Sequence, residues 1–174
     1  MSQVRLRVSA LCIQDDHVLL IEHKSFAPQD PQLPESYWIL PGGVVERGET
    51  LDEALTREMM EETGLECRIG SLLFIKELLY PYPGKGVEAQ GSIHHSVSLG
   101  FFCTVTGGQM ITGKDPEYPD DQQVILKVSW LPLAELDRYD LYPPFLSDYI
   151  LSQNLLQQPE GVKNAVPEFF NSAQ

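Results

Sequence analysis

The most constraining stretch of this 174-residue chain is TLDEALTREMMEETG, residues 50–64, because it specifies both ends of one helix and then breaks the rule for what that helix should bury. Thr50 with Glu53 three positions on is a capping box: the threonine hydroxyl takes a free N–H of the first turn and the glutamate reaches back. Gly64 suits the left-handed residue that follows a helix. The spacing therefore predicts a helix over residues 51–63. At about 100° per residue, Leu51, Ala54, Leu55 and Met59 form the apolar stripe. Glu58 falls between Ala54 and Leu51, Glu62 falls between Leu51 and Leu55, and Glu61 borders the stripe beside Ala54. Met60 points to the outer face, so the usual amphipathic pattern is inverted.

Two glutamates four residues apart repel by a few tenths of a kcal/mol even on an exposed face. Within an apolar stripe the cost is much larger unless positive charge compensates. Arg57 offsets one charge, not three. A divalent cation meets the need, and carboxylate oxygens suit Mg²⁺, with Mn²⁺ as a substitute. The loop before the helix supports this reading. Gly42-Gly43 lets the backbone approach a ligand and frees carbonyl oxygens, Gly48 permits a tight turn, and Glu49 stands where it can orient Arg57. Glu53 belongs to the cap and points outward.

Around this helix the chain reads as alternating strands. Residues 4–13, 18–22, 36–40, 66–79, 92–106 and 124–131 carry strand patterns. Proline-rich 24–36 and polar 113–123 read as loops, and residues 132–136 and 144–157 as a short and a last helix. Strands before and after a central helix predict an α/β (α+β) sandwich with a mixed sheet. One domain is expected over residues 1–157, with a weakly ordered tail over 158–174. A chain of this length supports one core without staples.

The charge balance, 25 Asp+Glu against 12 Lys+Arg and a net −13, excludes a basic footprint for duplex nucleic acid. It assigns neutralisation of any substrate phosphates to metal cations. Cys12, Cys67 and Cys103 are far apart in sequence and form no Cys-x-x-Cys, so they read as buried small side chains in a reducing cytoplasm. No apolar run approaches the roughly 18 residues of a membrane span, and no signal peptide is expected.

From Gly43 the sequence GVVERGETLDEALTREMMEETGL resembles the Nudix box at every position: Gly43, Glu49, Arg57-Glu58, apolar Met59, Glu61-Glu62, Gly64 and apolar Leu65. Trp38, Leu40 and Pro41-Gly42 resemble the family's lead-in, and 130–136 its late strand and helix. The resemblance covers roughly residues 4–150. It implies an α/β/α sandwich and a MutT-like hydrolase that cuts the pyrophosphate bond of a nucleoside diphosphate linked to another moiety. It also implies Glu58, Glu61 and Glu62 as metal ligands, the Gly42 carbonyl as a further one, and Arg57 with Glu49 orienting the carboxylates. Glu58 is the first choice for the base, with Glu61 also bearing on the reacting water. The expected partner is a small nucleotide, and a homodimer is compatible with the resemblance.

Substrate identity is marked less sharply. A downstream proline is associated in the family with ADP-ribose and a tyrosine with dinucleoside polyphosphates; here Tyr80-Pro81-Tyr82-Pro83 overlaps both. Gly43, Tyr80, Pro81, Tyr82, His94 and Asp121 are the expected substrate contacts. Similar chains carry an acid on the approach to the late Trp, where this one has Gln122-Gln123; Glu117, Asp120 and Asp121 are the nearest acids. ADP-ribose or a nucleotide sugar leads, ahead of a (d)NTP or dinucleoside polyphosphate. A non-catalytic nucleotide sensor is disfavoured by the intact glutamates, and RNA decapping by the acidic charge.

Overall fold

A computed structural model of the chain describes residues 4–25, 34–81, 93–116, 118–152 and 168–170, of which 80, 81, 93, 94 and 168–170 are described in backbone alone. Seven strands and two α-helices follow in the order β1 Arg5–Gln14, β2 His17–Lys24, β3 Ser36–Ile39, α1 Leu51–Thr63, β4 Leu65–Pro81, β5 Ile93–Gly108, β6 Ile125–Pro132, α2 Phe145–Ser152 and β7 Glu168–Phe170. The spatial order is β3-β2-β1-β5-β4-β7, and β6 pairs with β2. β1 runs parallel to β5, β4 antiparallel to β5, and β2 antiparallel to β3 and β6. The sheet is therefore mixed, as the strand–helix–strand order predicted. Asp15 and Asp16 both take positive φ in the β1–β2 turn, where a two-residue hairpin needs it.

The layers follow from side-chain alternation along β1. Val8, Ala10 and Cys12 point to one face and pack with Ala54, Leu55 and Met59 of α1. Leu11 points to the other and packs with Leu146, Tyr149 and Ile150 of α2 and with Leu133 and Leu136 of the 3-10 turn Leu133–Arg138. The sheet thus carries one helix on each face. Trp38 joins the second core and Trp130 the first. Within the segment expected as a tail, Glu168–Phe170 pairs parallel with Phe74, Ile75 and Lys76 at the sheet's edge.

The cysteines are unbridged and largely buried, as expected, and the fold adds their arrangement. Though distant in sequence, they stand in a row on one sheet face. Cys12 pairs in register with Cys103, and Cys67 lies diagonally across β4 from Cys103. All three are free thiols; Cys12 and Cys103 are buried and Cys67 is half-buried. Strand pairing, invisible to spacing, brings them together. Among the described residues no helix is long and apolar enough to cross a membrane.

The capping box forms as read. Thr50 Oγ1 accepts from the Glu53 N–H at 3.2 Å, and Glu53 Oε2 accepts from the Thr50 N–H at 2.8 Å. Thr50→Ala should cost about 1 kcal/mol. In thermal unfolding that is a fall in Tm of about 2–4 °C for a chain of this size. An unchanged Tm would show the cap to be dispensable.

Candidate active site

Glu58 and Glu62 lie on the buried face of α1, 6% and 5% exposed, although neighbouring Met60 is 43% exposed. The helical projection places them there because α1 must turn Ala54, Leu55 and Met59 onto the sheet, and the two glutamates share that face. Both carboxyls are driven above the usual glutamate range, chiefly by burial. Arg57 moderates the rise at Glu58. At Glu62 the backbone N–H of Gly42, 2.8 Å from Oε2, does the same, while the nearby charges of Glu58 and Asp115 push upward and Arg7 pulls down.

The glycine loop is shaped around these acids. Pro41 and Gly43 give their carbonyls to Ala10 and Val8 of β1, at 2.8 and 3.0 Å. Gly42 turns its N–H the other way, to Glu62, from a φ of 140° that side chains rarely adopt. A Cβ at Gly42 would overlap the Val8 carbonyl, and one at Gly43 would overlap the Glu58 carboxylate. The Gly43 carbonyl thus accepts one hydrogen bond from β1, beside an isolated antiparallel bridge between Arg7 and Val44.

Arg57 holds the loop and the helix together. Its Nε and Nη2 donate to Glu49 at 2.8 and 3.0 Å, Nη1 to Glu58 at 2.9 Å and to Glu61 at 3.2 Å, and Nη2 to the Val44 carbonyl at 3.2 Å. Glu49 is held below the usual carboxylate range by that guanidinium. Glu61, one turn beyond Arg57, is partly exposed. One nitrogen of Arg57, Nη1, holds an oxygen of Glu58 and one of Glu61, while Glu62 is tied to Gly42; among the described residues no three acidic, histidine or cysteine side chains form a cation cage. The donor set nevertheless fits a hard divalent ion. It consists of carboxylate oxygens, two of them buried, beside backbone that only glycine permits.

Two residues that the sequence reading passed over act on the charges of these acids: Arg7 of β1 on both Glu58 and Glu62, and Asp115 on Glu62. Asp115 also acts on His23, whose imidazole burial holds below its usual range. No spacing signal marks Asp115. It stands near the end of α1 because residues 109–114 run along that end: the N–H groups of Gln109, Ile111, Gly113 and Lys114 donate to the carbonyls of Gly64, Thr63, Glu62 and Glu61. Those carbonyls have no partner within the helix. Gly113 is required there, since a Cβ would overlap the Glu61 carbonyl.

Of the other expected contacts, only Asp121 has a described side chain. Asp121 is exposed on the 3-10 turn Asp120–Gln122, and Asp120 pairs with Lys114 at 2.8 Å, facing solvent. Tyr82 and Glu117 lie outside the described residues. Tyr80 pairs with His94 across β4 and β5, and Pro81 with Ile93, but their side chains lie outside the description. His95, the neighbour of His94, bonds Glu77 at 3.0 Å.

Comparison with known proteins agrees with this arrangement. The family model for the NUDIX domain matches residues 3–150. An ADP-ribose pyrophosphatase of Methanocaldococcus jannaschii is 36% identical over 108 residues, covering 62% of this chain and 55% of that protein. The human 8-oxo-dGDP phosphatase NUDT18 is 32% identical over 123 residues, covering 71% of this chain and 30% of that protein. The chain thus spans about half or less of these curated relatives. The crystal structure of a NUDIX hydrolase from Nitrosomonas europaea superposes with a TM-score of 0.65 at 18% identity, over 98% of this chain and 81% of that one, which establishes the common fold. With the glycine loop, the capped carboxylate helix and strands β1 to β6 all inside the matched span, the chain belongs to the Nudix hydrolase family.

Proposed function

We propose that the protein hydrolyses the pyrophosphate bond of a nucleoside diphosphate linked to a second moiety, with ADP-ribose or a nucleotide sugar first among substrates. The observation that carries this reading is the burial of Glu58 and Glu62 together on the helix face against the glycine loop. Two charges placed there cost stability and have a use only toward a cation. The similarity to an ADP-ribose pyrophosphatase supports the substrate class.

Glu58, Glu61, Glu62 and the Gly42 carbonyl would hold Mg²⁺ or Mn²⁺, which supplies Lewis-acid polarisation of the phosphoryl oxygens. Glu58 accepts the proton of the attacking water, a role suited to a carboxyl whose basicity burial raises. The water oxygen bonds to one phosphorus, the bridging P–O bond breaks, and a nucleoside monophosphate and a phosphorylated moiety leave. Arg57, fixed by Glu49, sets the direction of the Glu58 and Glu61 carboxylates. Gly43 leaves room for the Glu58 carboxylate and is itself a candidate substrate contact. Tyr80, Pro81, Tyr82, His94 and Asp121 remain candidates for substrate contact. The free thiols support a reducing, cytoplasmic setting for this work.

A Mg²⁺-dependent screen over ADP-ribose, nucleotide sugars, dinucleoside polyphosphates and (d)NTPs tests the reading. AMP plus ribose 5-phosphate from ADP-ribose is expected. Pyrophosphate plus a nucleoside monophosphate would move the assignment to (d)NTPs. Tight binding without turnover would make the protein a sensor and overturn hydrolysis.

A further inference from the structure

Three cations stand on one face of the sheet in a chain that has 12 Lys+Arg against 25 Asp+Glu. Val8, Ala10 and Cys12 of β1 turn to α1, so Arg5 and Arg7 turn to the opposite face. Strand register carries that face across the sheet. Arg7 pairs with Ser98 of β5, and Ser98 pairs with Lys76 of β4. Directly paired residues share a face, so the three side chains form a row. One layer on, Arg5 pairs with Ser96, and Ser96 with Leu78. Lys76 confirms the face: its ammonium stands 5.6 Å from the centroid of the Phe145 ring on α2. No acid is paired into these two layers. Glu77, next to Lys76, turns the other way and bonds His95 at 3.0 Å.

The row begins at the glycine loop. Arg7 bridges Val44, whose carbonyl accepts from Arg57 at 3.2 Å. The preceding Gly43 bonds the Val8 N–H and lies against the Glu58 carboxylate. From Val44 the row crosses β1 and β5 to β4, which at about 4.8 Å per strand puts Lys76 roughly 14 Å away. Arg7 is half-buried, and among the described residues neither a hydrogen bond nor an ion pair holds its guanidinium. A half-buried guanidinium has lost water that an anion would replace.

We propose that Arg7, Ser98 and Lys76 form an anion-recognition row for the second moiety of the substrate, selecting nucleoside diphosphate derivatives whose second moiety carries a further phosphate or carboxylate. The inference rests on the proposed hydrolysis. On that reading the pyrophosphate lies at the glutamates, and an anionic group one sugar unit beyond it meets the row. Arg7 offers a planar fork to two oxygens, Ser98 a hydroxyl donor, and Lys76 a point charge at the far end. A chain this acidic admits a further negative charge where its own acids are absent.

The site is tested without chemistry by inorganic phosphate, titrated into the full chain after metal removal and followed at the Ser98 amide by NMR. Arg7→Met and Lys76→Met each keep an apolar stem and remove one charge; thermal unfolding checks that they fold. Each should weaken phosphate about 10–100-fold, the usual loss for a hydrogen bond to a charged group. Lys127→Met, which removes an exposed charge on β6, should leave phosphate affinity unchanged. Selectivity is tested with Mg²⁺ and a matched pair, UDP-glucuronate and UDP-glucose. Wild type should favour the acid in kcat/KM by about 10-fold or more, and each Met variant should erase that preference while leaving UDP-glucose nearly unchanged.

No phosphate response at Ser98, or unchanged affinity in Arg7→Met, would overturn the site. Equal rates for the two sugar nucleotides in wild type, or an equal loss for both in the variants, would overturn the selectivity and assign the row to the pyrophosphate itself. If phosphate binds and is lost in the variants while neither nucleotide is cut, the row stands and the hydrolysis, with the substrate preference built on it, fails.

Discussion

Glu58→Gln and Glu62→Gln should each lower kcat by about 10²–10⁴-fold, in a protein that still folds. Each change keeps the side-chain shape and removes a charge that α1 holds at 6% or 5% exposure. In Glu62→Gln the new amide oxygen can still accept the Gly42 N–H, so the loop keeps its anchor. Stability should hold or rise, because a buried charge with little compensation has been removed. Activity and stability then move in opposite directions, as expected where a strained site is kept for its use. Circular dichroism and thermal unfolding report the fold; steady-state kinetics with Mg²⁺ reports the chemistry. Near-normal turnover in both variants would remove these glutamates from the mechanism.

The second large effect is on stability against pH. Glu58 and Glu62 have folded-state values above the ordinary 4.5. Between that value and their raised ones the folded protein binds more protons than the unfolded chain, so stability falls as pH rises. With metal removed by chelator, the protein should therefore melt at a higher temperature near pH 5 than near pH 7.5. Below the ordinary carboxylate range the trend reverses, because Glu49, Glu53 and Asp120 have lowered values and lose their bonds on protonation. Mg²⁺ at saturating concentration should raise the melting temperature more at pH 7.5 than at pH 5, because the carboxyls lose their protons more readily there, and so flatten the dependence. A metal-free protein equally stable at pH 5 and 7.5, with no response to Mg²⁺, would contradict the electrostatic reading of α1. Glu62→Gln should flatten the metal-free curve by itself.

Much of the site was legible in the chain because its parts are local. The cap bonds residues three apart, Arg57 reaches Glu58 and Glu61 within one turn, and the positions of Glu58 and Glu62 follow from a period of 3.6 residues. The mixed sheet was legible in kind from the order of its elements. The segment near residue 80 was not, since its markers conflict in sequence and its side chains fall outside the description.

What the sequence determined by itself is the carboxylate helix: its ends, its buried face and the charges placed on that face, all set by bonds within about four residues. What only the tertiary structure decided is what meets that face. Arg7 arrives from β1, the Val8 N–H bonds the Gly43 carbonyl, the strap of residues 109–114 bonds the carbonyls at the end of α1 and brings Asp115 to that end, and the Gln123 side chain bonds the Asp115 backbone. Most of these contacts join residues far apart in sequence. They depend on strand pairing and loop closure, which no period along the sequence encodes.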